Sequence, residues 1–141
     1  MNIDSIQNGV VIDHITAGNG MRLYSLLGLD ALDVSVAIIK NVASGKMGKK
    51  DIIKVDAAIP LDFQVVGYVD PGATVNVIRE GRVVEKLSVE LPDRLTGVIR
   101  CYNPRCITTT EQELKQIFKL TDRVKRVYRC IYCETAAKSG G

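Results

Sequence analysis

The chain has 141 residues, with 19 Lys and Arg against 16 Asp and Glu, one His, two Phe and no Trp. That length holds one medium domain or two small ones, and no apolar run approaches the roughly 18 to 20 residues of a membrane-spanning helix. A net charge of +3 with so few aromatics argues against a dense phosphate-backbone track with stacking platforms.

The charge is uneven. Residues 1–95 carry 10 Lys and Arg against 12 Asp and Glu, whereas residues 96–141 carry 9 against 4. The opening MNIDSIQNGV has no basic stretch followed by a long apolar run, so a reducing cytoplasm is the expected compartment.

In chain order, GVVIDHITA (Gly9–Ala17) reads as a strand. NGMRLYSLLGL (Asn19–Leu29) reads as a helix with Met21, Tyr24 and Leu27 on one face and Leu23 near its edge. DVSVAIIKNV (Asp33–Val42) and DIIKVDAAI (Asp51–Ile59) are strands joined by a Gly- and Lys-rich loop. LDFQVVGYVD (Leu61–Asp70) is a short helix stopped by Pro71, and ATVNVI with RVVEKLSVEL forms a hairpin about Glu80-Gly81. This order predicts an α+β, ferredoxin-like domain over residues 1–95, with helices covering one face of a mainly antiparallel sheet. LPDRLTG (Leu91–Gly97) reads as a linker because Pro92 interrupts the strand. The β-rich remainder, residues 96–141, is too short to hold a stable core without a metal or disulfides.

All four cysteines lie in that remainder, as Cys101-x4-Cys106 and Cys130-x2-Cys133 with 23 residues between the pairs. Each pair can aim two sulfurs at one point, and four thiolates close a tetrahedral structural zinc site with no open position. IFKLTDRVKRVYRC (Ile117–Cys130) is the hairpin that brings the second pair to the first, in a zinc-ribbon or rubredoxin-like module. A cytoplasmic setting disfavours two disulfides, and the x4 loop fits an iron site of rubredoxin kind less well than zinc. The spacing alone leaves open whether the folded module touches nucleic acid or protein.

In the first domain, the only histidine, His14, follows Asp13; in a regular strand the two side chains face opposite sides, so they do not form a simple catalytic dyad. Lys50 and Lys54 share one face of an extended strand, with Lys46 and Lys49 nearby. A screened, solvated edge is the plainer reading, and a bound polyphosphate is the sharper one. Asn76 is polar among β-branched neighbours. A two-residue turn pairs it with Glu85 and leaves Lys86 on the other face. A three-residue turn or bulge at Glu80-Gly81-Arg82 puts Asn76 and Lys86 on the same face.

Taken in order, GVVIDHI, SGKMGKKDIIK, ATVNVI, VVEK, LP, C-x-N-P-x-C and C-x-Y-C-E resemble the regulatory chain of aspartate carbamoyltransferase over roughly Ile3 to Glu134. The resemblance implies a non-catalytic subunit of pyrimidine biosynthesis. Its first domain binds ATP as activator and CTP and UTP as inhibitors, with magnesium accompanying the nucleotides. Its zinc domain docks on the catalytic chain, and homodimers of the regulatory chain tie catalytic trimers into a dodecamer. Carried over by the resemblance, Ile3, Asp4, Ser5 and Ile6 lie near the base, and Val11, Asp13 and His14 about the base and ribose. Lys50, Lys54 and Lys86 meet the triphosphate, Asn76 and Ile78 line the site beside Val83, and Cys101, Cys106, Cys130 and Cys133 hold zinc. Gly81 stands where some members carry a tyrosine whose main chain contacts the base. A zinc-ribbon nucleic-acid-binding protein is the alternative.

Overall fold

The structure is a computed structural model, which describes residues 6–138. It divides into two units, Met1–Glu90 and Leu91–Gly141. No helix among the described residues is long and apolar enough to cross a membrane.

The first unit contains β1 (Gly9–Thr16), α1 (Gly20–Leu26), β2 (Val36–Ser44), β3 (Gly48–Val55), α2 (Phe63–Val69), β4 (Thr74–Arg79) and β5 (Arg82–Ser88). The sheet order is β2-β3-β1-β4-β5 with every neighbouring pair antiparallel. The first four strands with their two intervening helices reproduce the ferredoxin-like βαββαβ arrangement, and β5 extends it by one edge strand. Period-2 alternation sorts the residues by face. Val10, Ile12, Ile53, Val55 and Val75 are buried together with Leu23 of α1 and Val65, Val66 and Val69 of α2.

Helix α1 is shorter than its sequence pattern suggests and is turned about its axis. Leu23 and Gly20 are its buried residues, while Met21 is 48% exposed. A short 3-10 turn at Leu29–Ala31 follows, with Leu29 also buried. Helix α2 begins where Asp62 caps it, its carboxylate accepting from Gln64 N at 2.9 Å. It ends at Asp70, just before Pro71.

Among the described residues of this unit, three bulges break the regular alternation. In β1 the pairing with β3 runs Ile12↔Ile53 and then Ile15↔Asp51, so one extra residue sits between, and His14 takes φ 57. In β2 a similar shift falls between Ile39 and Val42, with Asn41 at φ 58. In β5, Ile78↔Val83 is followed by Val77↔Glu85, which leaves Val84 as the extra residue. The β1 bulge lets Ile12 and Ile15, three apart, both point into the core at 0% exposure.

Asp51 ties the β2 bulge to the turn that leads from β1 into α1. It is fully buried, and its carboxylate accepts from Gly18 N, Gly20 N and Asn41 N, each at 3.0 Å. A Cβ on Gly20 would stand 2.8 Å from Asp51 Oδ2, so the start of α1 needs glycine there.

The second unit contains β6 (Arg94–Thr96), a 3-10 turn at Ile107–Thr109, β7 (Ile117–Asp122) and β8 (Val127–Cys130), with sheet order β6-β7-β8. Leu95, Phe118 and Tyr128 form its small apolar centre beside Cys106 and Cys130. The segment read as a linker, Leu91–Gly97, is built into this unit. Tyr128 OH donates to Pro92 O, Arg123 Nη1 donates to Leu91 O at 3.0 Å, and β6 pairs with β7. The boundary therefore falls at 90/91 and not at 95/96. Pro92 lies beyond the end of β5 at Ser88, and its carbonyl accepts from Tyr128 within the second unit.

Candidate functional site

The sheet face opposite the helices collects most of the first unit's candidate residues. One cross-strand row runs through all five strands as Ala37, Lys54, Val11, Asn76 and Lys86, each directly opposite the next. The adjacent row holds Gly9, Ile78 and Val83, and the row on the other side holds Asp13 and Thr74. At about 4.8 Å per strand, Lys54 and Lys86 stand roughly 14 Å apart at their backbones. Flexible four-carbon stems allow both ammonium groups to reach a polyanion between them.

Lys50 shares this face with Lys54, and its Nζ lies 3.0 Å from Asp13 Oδ1. Burial alone pushes the Asp13 carboxyl up, but the hydrogen bond and charge of Lys50, with the His14 backbone N–H at 2.6 Å, outweigh it. The pKa is held below the usual carboxylate value. His14 does not point away from Asp13 as a regular strand requires. The β1 bulge and its positive φ turn the ring so that Nδ1 lies 3.0 Å from Thr74 Oγ1, on the same face.

Asn76 is 9% exposed, and its side-chain oxygen has no donor among the described residues. A buried acceptor left unsatisfied costs about 1–3 kcal/mol, so this oxygen suits a ligand hydroxyl or N–H. Asn76 and Lys86 share a face, but not through a turn at Glu80-Gly81-Arg82. The turn is a two-residue one, Arg79↔Arg82, with Glu80 at φ 51 and Gly81 at φ 76, and the bulge lies at Val84. Gly81 N donates to Gln7 O at 2.9 Å.

Val83 is 55% exposed, Lys86 is exposed, and Ile6 is buried at 6%. Ile3, Asp4 and Ser5 lie outside the described residues. Thr74 was not singled out from the sequence; its place two residues before Asn76 in a strand was the available signal.

In the second unit the four sulfurs of Cys101, Cys106, Cys130 and Cys133 all lie within 4.8 Å of one another. Cys101 Sγ is 3.5 Å from Cys133 Sγ, and Cys106 Sγ is 3.7 Å from Cys130 Sγ. A tetrahedron with metal–sulfur bonds of about 2.3 Å has edges of about 3.8 Å, so these cysteines fit a four-thiolate metal ion. The turns that aim them are local. Arg105 N donates to Asn103 Oδ1 at 3.0 Å, Cys106 N donates to Asn103 O at 3.0 Å, and Glu134 takes φ 63 to close the second turn.

Two hydroxyls sit on the sulfurs. Thr108 Oγ1 is 3.1 Å from Cys106 Sγ, and Thr135 Oγ1 is 3.2 Å from Cys133 Sγ. The contact with Thr135 pulls the Cys133 thiol down to about 6, whereas burial pushes Cys101 up to about 12. A dication at the centre favours the thiolate at every ligand. These threonines were missed in the sequence, although a Cys-x-Thr pattern follows the second cysteine of both pairs.

An antiparallel sheet with a lysine-bearing open face, followed by a small module closed by four cysteines, defines a two-domain metal-binding chain. That chain belongs to the aspartate carbamoyltransferase regulatory chain family. Residues 1–90 match the family model described as the allosteric domain of that regulatory chain, and residues 93–139 match the one described as its metal binding domain. It is 46% identical over 139 residues to the aspartate carbamoyltransferase regulatory chain of Clostridium tetani (strain Massachusetts / E88), covering 98% of this chain and 96% of that protein. It is 44% identical over 138 residues to the protein of the same name from Bifidobacterium longum (strain NCC 2705), covering 98% and 99%. The chain is thus a regulatory partner of a catalytic chain and not itself the catalyst.

Proposed function

We propose that this chain senses nucleoside triphosphates on the open face of its first unit and reports their binding to the catalytic chain of aspartate carbamoyltransferase in cytoplasmic pyrimidine biosynthesis. The observation that carries the reading is the row Lys54, Val11, Asn76 and Lys86, with Lys50 on the same face. Three ammonium groups suit a triphosphate, the unsatisfied Asn76 oxygen suits a ligand donor, and Ile78 with Val83 offers an apolar flank to a base. In this reading CTP and UTP inhibit and ATP activates, with magnesium accompanying the phosphates. Asp13 and His14 contact the ribose or base, and Ile3, Asp4, Ser5 and Ile6 complete the base pocket.

Zinc is the metal of the four-cysteine site. Four soft thiolates in a closed tetrahedral set suit it, and the ion acts by folding the module that docks on the catalytic chain. Regulatory homodimers then join catalytic trimers into a dodecamer. Regulation follows from linkage: a nucleotide shifts activity only through unequal affinity for two states of the assembly.

The test is titration calorimetry of CTP and ATP on the full chain and on Lys54→Ala and Lys86→Ala. Each variant is expected to lose at least about tenfold in affinity, while zinc content and assembly with catalytic trimers stay unchanged. Wild-type affinity in both variants would remove the lysine row from the site.

A further inference from the structure

The second unit carries a cationic row that neither the metal site nor the nucleotide face uses. Arg94 of β6 stands directly opposite Lys119 of β7, which stands directly opposite Arg129 of β8. All three are exposed, and they point away from the buried row of Leu95, Phe118 and Cys130. Like charges placed directly across a sheet repel one another, yet among the described residues none of the three is ion-paired. Elsewhere the same chain does pair its cations, as in Lys50 with Asp13 and Arg123 with Asp93. Arg129 makes one internal bond, from Nη1 to the Glu134 carbonyl at 3.1 Å.

The row lies in an open concavity of about 630 Å³ that also includes Thr121, Ile131 and Glu134. Ile131 is 39% exposed there. Three side chains on neighbouring strands span about 10 Å, a length that two carboxylates about two helical turns apart can match. Arginine at both ends favours planar, two-pronged recognition of carboxylates. A nucleic-acid strand would ask for a longer cationic track and aromatic platforms, and the remaining side chains in the concavity are Leu120, Thr121, Cys130, Ile131 and Glu134.

We propose that this outward face of the metal-binding unit docks an acidic segment of the catalytic chain, with Arg94, Lys119 and Arg129 receiving its carboxylates and Ile131 its apolar flank. The inference rests on the docking reading above and supplies its chemistry.

The experiment measures binding of the full zinc-loaded chain to catalytic trimers as a function of salt. It compares wild type with the triple variant Arg94→Gln, Lys119→Gln, Arg129→Gln and with Lys119→Glu alone. Zinc content and CTP affinity serve as checks that both units are folded. The triple variant is expected to bind at least about tenfold more weakly at low salt, with a flatter salt dependence, and Lys119→Glu to be weaker than wild type as well. Trimer affinity and salt dependence within about twofold of wild type would overturn the proposal while leaving docking intact. Failure of the wild-type chain to bind trimers at all would overturn docking, and this inference with it. Binding of a short single-stranded RNA or DNA duplex that disappears in the triple variant, with trimer binding unchanged, would assign the face to nucleic acid instead.

Discussion

Asn76 faces Lys86 across β4 and β5 because β5 holds one residue more than its partner, at Val84. Were Val84 paired with Val77 and not bulged, the two-residue turn at Glu80-Gly81 would set Asn76 opposite Glu85 and turn Lys86 toward the helix side. Deleting Val84 closes the bulge but keeps Lys86 opposite Asn76, so CTP affinity is expected to stay within about threefold of wild type, unlike Lys86→Ala, with the far-ultraviolet spectrum nearly unchanged. Calorimetry alongside circular dichroism checks this, and a loss of about tenfold in the deletion would show that β5 slips in register when the bulge is closed.

Asn76 separates stability from binding. Replacing it with Leu removes a buried acceptor that has no donor among the described residues, so the free chain should gain up to about 1 kcal/mol in urea unfolding while nucleotide affinity falls. A variant that lost stability and kept affinity would mean the oxygen is satisfied by solvent and irrelevant to the ligand.

Asp51 is expected to be the most sensitive polar position in the first unit. Asp51→Ala leaves the N–H groups of Gly18, Gly20 and Asn41 without their acceptor inside the fold. A loss of about 3 kcal/mol or more should follow. Because the carboxylate holds the β2 bulge at Asn41 and the turn from β1 into α1, hydrogen exchange should rise in β2 and at the start of α1 before β4 and β5.

Asp13 and Lys50 give the site a defined acid response. The Asp13 pKa is lowered in the folded chain, so its contribution is present above the ordinary carboxylate value of about 4 and is lost as pH falls through the lowered one. Carboxyl-carbon NMR titration should find the Asp13 midpoint below that value. In Lys50→Met the titration should move upward, because burial then acts with less opposition. An unmoved titration would show that Lys50 is not the partner in solution.

Removing the metal should act on one unit only. Chelation, or Cys106→Ala, is expected to unfold residues 91–138 and abolish assembly with catalytic trimers, since the apolar centre of Leu95, Phe118 and Tyr128 is too small to persist alone. The first unit should keep its exchange protection and bind CTP. Retained protection in β7 and β8 without metal would show that the module folds independently of its clasp.

The four cysteines and their spacing were sufficient to read a metal clasp, because each pair lies within one turn and local chain geometry aims both sulfurs. The strands and helices of the first unit were legible for a similar reason: alternation and helical spacing are local properties, and their order limits the sheet to few arrangements. What only the tertiary structure decided was parity. A single extra residue at Val84, and another between Ile12 and Ile15, reverses which side chains share a face. The carboxylate that holds the β2 bulge and the β1–α1 turn comes from Asp51, ten residues from Asn41 and farther still from Gly18 and Gly20. The boundary at 90/91 likewise depends on Tyr128 reaching Pro92, and the cationic row on three strands meeting in register. Hydrophobic periodicity fixes a strand's two faces only as far as the next bulge, and a bulge is held by contacts distant in the chain.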